Sequence, residues 1–161
     1  LVFANEILGS GGFLTARIPM RLREKEGISY GAGSFVNAPT DAKNEVGGWT
    51  WYAFLNPTKR GEVENAVKDE ITKILKSGVT EDEMKSNKTS WNNSRQTNLG
   101  SDNYLLSLSQ TYLMFGTPFD DFDDLNAKIE KLNVKQVNDA LKKYIDPSKM
   151  TSVYTGTFEK K

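Results

Sequence analysis

The chain has 161 residues, 37% of them apolar, and its 21 basic residues balance 21 acidic ones, which suits one domain with a single substantial core. Balanced charge argues against nucleic acid or an anionic membrane held by bulk charge, and no run of about 18 apolar residues offers a membrane span. The sequence holds no cysteine and no histidine, so disulfides, thiol catalysis, Ser-His-Asp arrangements and every His-containing zinc site are excluded.

The chain begins at Leu1, without Met, inside an apolar helix-like pattern that runs to Leu8. That start reads as a piece of a longer protein, N-terminally truncated, and no signal peptide is visible. Residues 2 to 8 suit a helix closed by Gly9-Ser10-Gly11-Gly12. Residues 15 to 26 read as a second helix, with Ile18 and Leu22 four apart, Pro19 in the first turn, and Gly27 as the left-handed residue that ends it. Residues 28 to 37 read as a strand, 38 to 41 as a turn, and 46 to 55 as a second strand. Trp49, Trp51 and Ala53 then lie on one face, with Thr50, Tyr52 and Phe54 on the other. The two strands form an antiparallel hairpin.

Helices follow. One starts at Asn56-Pro57-Thr58 and runs to about Lys76. A second opens on the capping box Thr80-Glu81-Asp82-Glu83 and runs to about Asn98. A third opens at Ser101-Asp102, with Leu105, Leu106, Leu108, Tyr112 and Leu113 expected in the core, and Gly116-Thr117-Pro118 breaks it. Two more span 119 to 132 and 134 to 144, and Met150 to Phe158 alternates like a last strand. The sum is an α+β, two-layer sandwich: a mostly antiparallel sheet with helices on one face, in one domain over residues 1 to 161.

Most candidate sites have plain structural readings. Gly9-Ser10-Gly11-Gly12 follows a helix and lacks both phosphate-loop spacings, so it reads as an interhelical turn. Asp120, Asp121, Asp123 and Asp124 lack the spacing and central Gly of a calcium loop, and suit the positive end of a helix. Asn87-Lys88-Thr89 and Asn92-Asn93-Ser94 match the short glycosylation sequon, for which chance is the default. Trp49, Trp51, Tyr52 and Phe54 read as sheet packing, with an aromatic groove as the other reading. In the stretch RLREKEGISYGAGS (21 to 34), Arg21, Arg23 and Lys25 form a solvated face, Glu26 pairs with Arg23, and Tyr30 packs in the sheet. The open alternative is that Arg23 and Tyr30 carry chemistry.

The words NEILGSGGFLTARIPMRLREKEGISYGAGS (5 to 34) resemble the C-terminal, non-catalytic half of the M16 zinc metallopeptidases, a family that includes pitrilysin, insulin-degrading enzyme and the mitochondrial processing peptidase. The shared words are Asn5, Leu8 and Gly9, then Ala16-Arg17-Ile18, then Arg23-Glu24-Lys25-Glu26-Gly27-Ile28-Ser29-Tyr30. Gly78-Val79-Thr80-Glu81-Asp82-Glu83-Met84 resembles the family's later Gly-Val-Thr-x-x-Glu-Leu helix start.

The resemblance implies a substrate-binding, clamshell-closing half, inert alone, facing an N-terminal catalytic half on the same or a separate chain. Zinc belongs to that other half, and this chain itself carries no cofactor and no metal ligand. The resemblance also assigns Arg23 and Tyr30 to the shared site, where a guanidinium and a phenol stabilise the scissile carbonyl as charge builds on its oxygen. The substrate it implies is a peptide. The family's domain normally opens with further strands, so an uncovered sheet edge and self-association are expected. The alternative is a scaffold or binding subunit that keeps the fold without peptidase activity. Composition favours a bacterial periplasm or envelope over the cytoplasm.

Overall fold

A computed structural model describes residues 1–11, 15–37 and 47–157. The expected turn at 38 to 41, the start of the second strand at Val46, the residue Gly12 and the chain end from Phe158 lie outside the described residues.

Helix α1 (Val2–Asn5) continues as a wider-wound π segment, Glu6–Ser10. Helix α2 (Arg17–Pro19) does the same over Met20–Lys25. Proline sits in the first turn of α2, where its missing N–H costs nothing. At the other end Gly27 has φ +62, and the Ile28 N–H closes back onto the Leu22 carbonyl at 2.9 Å. A Cβ on Gly27 would meet nothing within 4 Å. Gly27→Ala therefore costs only the left-handed conformation, and urea denaturation is expected to show a loss of about 1 kcal/mol.

Strands β1 (Ser29–Asn37) and β2 (Gly48–Leu55) pair antiparallel, with Ala32 opposite Ala53 and Ser34 opposite Trp51. The 3-10 turn Pro57–Lys59, capped by the Asn56 side chain, leads into α3 (Arg60–Ser77). Then come α4 (Glu81–Leu99), α5 (Asp102–Phe115), α6 (Asp121–Glu130), α7 (Val134–Tyr144) and a 3-10 turn, Pro147–Lys149. Both halves of the predicted capping box form at Thr80 and Glu83, and Asn133 with Gln136 makes a second one.

The core lies between the hairpin and the helices. Ile7, Leu8, Ile18 and Leu22 meet Val63, Val67, Ile71 and Ile74 of α3 and Leu141 of α7, all essentially without solvent exposure. Each such side chain contributes roughly 1.5–3 kcal/mol by leaving water. Trp49, Trp51 and Ala53 pack against this core, as the alternation of β2 requires. The architecture is the expected α+β arrangement, with helices on one face of an antiparallel sheet.

Three expectations change. First, α5 buries none of its residues: Leu105, Leu106 and Leu113 are exposed and Leu108 and Tyr112 half-buried. Helix α5 packs along α4, a polar helix whose buried residues are Met84 and Asn87 alone, so it finds little apolar surface there to cover its leucines. Second, residues 151–157 form no ladder. Instead the Tyr154 ring lies 4.8 Å from the Arg60 guanidinium, and its hydroxyl donates to Glu64 at 2.5 Å. Third, Arg21 is not on a solvated face. It donates to Glu26 at 2.5 Å, Asp69 at 3.1 Å and Glu70 at 3.0 Å, tying α2 to α3. Glu26 is thus engaged by Arg21, not by Arg23 as the spacing suggested.

Candidate functional site

Arg23 sits on the last turn of the α2 segment and Tyr30 at the start of β1. The structure brings them together, with the guanidinium carbon 4.8 Å from the centre of the Tyr30 ring. At that distance a cation and a phenol ring attract, by about 0.5–1 kcal/mol at an exposed site. Arg23 also lies 3.3 Å from Glu24.

Tyr30 points where simple alternation forbids. Ala32 and Ser34 are buried, so a strand of period two would bury Tyr30 as well. The ladder instead steps from Ser29↔Leu55 to Gly31↔Phe54, giving β1 one extra residue, and that residue is Tyr30. A bulge of this kind re-aims a side chain, and Tyr30 is 78% exposed. The buried Ser29 hydroxyl holds the irregularity, 2.7 Å from the Phe54 carbonyl and 3.1 Å from that of Gly31. A tyrosine turned outward in this way packs on no core, so the reading that it fills the sheet fails.

Other residues of the same motifs are structural. The Asn5 side chain is buried, accepting from Ser34 Oγ and Trp49 Nε1 at 2.6 Å each and donating to the Ser34 carbonyl at 3.1 Å. It ties α1 to both strands. Gly9 lies so close to β1 that a Cβ there would stand 2.1 Å from Ser34 Oγ. Arg17 grips Glu83 with two nitrogens, at 2.7 and 2.8 Å, and reaches the Gly78 carbonyl at 3.0 Å. Two sequence words 66 residues apart are therefore halves of one ion pair.

The remaining candidates resolve plainly. Asp121, Asp123 and Asp124 fill the first turn of α6. Among the described residues no three Asp or Glu side chains converge as metal ligands, and with no His or Cys in the sequence the donor set does not fit zinc. Asn87 is buried and donates to the Glu83 carbonyl at 2.9 Å, so its nitrogen is not available to a glycan. Asn92 donates to Glu130. The aromatic set divides, with Trp49 and Trp51 on the core side and Tyr52 and Phe54 exposed at 45% and 74%.

A family model described as the peptidase M16 inactive domain matches residues 1–90. Among solved structures, a peptidase M16 inactive domain from Pseudomonas fluorescens is 22% identical with a TM-score of 0.72, covering 90% of this chain and 33% of that one. A conserved protein from Enterococcus faecalis V583 is also 22% identical, with a TM-score of 0.65, over 87% of this chain and 31% of its own. The chain thus spans about a third of the length of these structures, and at such identities the likeness carries the fold alone. No curated protein matches it.

Proposed function

As the chain belongs to the peptidase M16 inactive-domain family, we propose that it is the substrate-holding half of a clamshell zinc peptidase, inert until it faces a metal-bearing half. The observation that carries this reading is the outward-turned Tyr30 with Arg23 beside it. A guanidinium only donates, and a phenol O–H offers one further donor, in a chain with no histidine or cysteine to ligate zinc. Such a pair can hold a peptide carbonyl and stabilise the negative charge that develops on its oxygen, but cannot supply the attacking group. The other half supplies the zinc, whose chemistry is to activate water and polarise the carbonyl. Helix α5, whose apolar side chains Leu106, Leu113 and Met114 are exposed, supports a chain that works inside a larger assembly.

The test is reconstitution. Alone, the chain is expected to bind no stoichiometric zinc and to cleave no peptide, by metal analysis after dialysis and by a fluorogenic peptide assay. Joined to its metal-bearing half, it is expected to be required for cleavage. Tight one-to-one zinc on this chain overturns the reading. A complex that forms and never cleaves peptides replaces it with a binding scaffold.

A further inference from the structure

The outward face of the hairpin is built from Gly31, Gly33 and Phe35 of β1 and Thr50, Tyr52 and Phe54 of β2. Its pairings place each of two aromatic residues opposite a glycine, Phe54 against Gly31 and Tyr52 against Gly33. The rings lie down across the sheet. A Cβ on Gly31 would stand 2.8 Å from Phe54 Cδ2, and one on Gly33 would stand 3.0 Å from the Gly9 carbonyl oxygen and 3.1 Å from the Tyr52 hydroxyl. Neither glycine has positive φ, so what favours glycine there is close approach, of the Phe54 ring at Gly31 and of the Gly9 backbone together with the Tyr52 ring at Gly33. The two rings meet edge to face with centres 5.8 Å apart. Phe35, 43% exposed, extends the surface. None of these six positions carries a charged side chain, and the surface begins at Gly31, next to Tyr30.

Resting on the role given above to Arg23 and Tyr30, we propose that Tyr52 and Phe54 form a specificity floor that takes bulky apolar side chains of an extended peptide beside the scissile carbonyl. Alternate side chains of an extended chain recur on one face every 6.6 Å or so, close to the ring spacing, so positions i and i+2 meet one ring each. A helical ligand fits less well, because its carbonyls are spent on its own hydrogen bonds and would not reach Tyr30 and Arg23. An acidic or strongly polar side chain would lose water over the rings and gain no partner there.

The experiment uses the assembled peptidase and two quenched fluorescent peptides. They are identical except that one carries Phe or Leu, and the other Ser, at the two alternate positions on each side of the cleaved bond. The apolar peptide is expected to have the higher kcat/KM, by roughly 10–200-fold or more, the discrimination that a single methylene gives in an apolar pocket. Tyr52→Thr with Phe54→Thr, a change that keeps strand-favouring residues on an exposed face, is expected to cut that ratio at least tenfold. Tyr30→Phe is expected to slow both peptides alike and leave the ratio unchanged, so failure of the floor and failure of the Arg23–Tyr30 reading are told apart. A ratio unmoved by the threonine pair overturns the floor. So does a self-association seen by sedimentation that the threonine pair abolishes without moving the ratio, since the rings then serve a second copy of the chain.

Discussion

On the function proposed here, Tyr30→Phe in the chain joined to its metal-bearing half is expected to lower kcat about 100-fold while leaving KM within about twofold. The substitution removes one oxygen and keeps the ring, so the Arg23 contact at 4.8 Å survives. Tyr30 is 78% exposed and belongs to no core cluster, so the melting temperature should not move. In the role proposed for Tyr30, what is lost is a single O–H donor to an oxygen that becomes negative only during reaction, and loss of one such donor costs roughly 10²–10³ in kcat. A ground-state carbonyl accepts a weaker hydrogen bond than an oxyanion, which is why the effect belongs in kcat rather than KM. Single-turnover kinetics with a quenched peptide checks both terms. An unchanged rate removes Tyr30 from the chemistry and leaves the bulge without a catalytic purpose.

Much of the frame was legible because it rests on local chemistry. Thr80 and Glu83 announce a helix start through bonds three residues apart, and α7 ends at Tyr144, just before Asp146 and Pro147. The alternation of β2 correctly separated Trp49 and Trp51 from Tyr52 and Phe54. Other features depend on partners far along the chain. Arg21 looked solvated because Asp69 and Glu70 lie 48 and 49 residues away. The leucines of α5 looked buried because apolar spacing reports that a helix face wants covering, not what covers it. The direction of Tyr30 was hidden for another reason. Period-two alternation assigns it inward, and only the extra residue between Ser29 and Gly31 turns it out. The one local hint was a serine between Ile28 and an aromatic followed by glycine, since that hydroxyl bonds the two carbonyls flanking the bulge.

Arg17→Ala should unfold the domain early and leave the chemistry of whatever stays folded unchanged. Arg17 belongs to a motif that also contains Arg23, yet its guanidinium is turned inward to Glu83 and the Gly78 carbonyl. The side chains are only 18% and 26% exposed, so truncating one strands the other with little water to replace it. Breaking a fully buried pair costs about 3–5 kcal/mol; with this residual exposure roughly 2–3 kcal/mol is expected, or about 5–10 °C in melting temperature. The pair also gives stability a pH dependence with a definite sign. Burial pushes the Glu83 carboxyl up, but hydrogen bonds from Arg17 and the Thr80 backbone outweigh it and hold the group below the usual glutamate value. A carboxyl depressed in the native state stabilises fully above its unfolded pKa, about 4.3, and that contribution is lost as pH falls through the lower native value. Wild-type protein should therefore lose more stability between pH 5 and pH 3 than Glu83→Gln, which keeps the capping hydrogen bond but cannot ionise. Urea titrations at both pH values measure the difference. Parallel losses in the two proteins would mean that Glu83 titrates alike folded and unfolded, and the Arg17 contact would then be a bond without electrostatic weight.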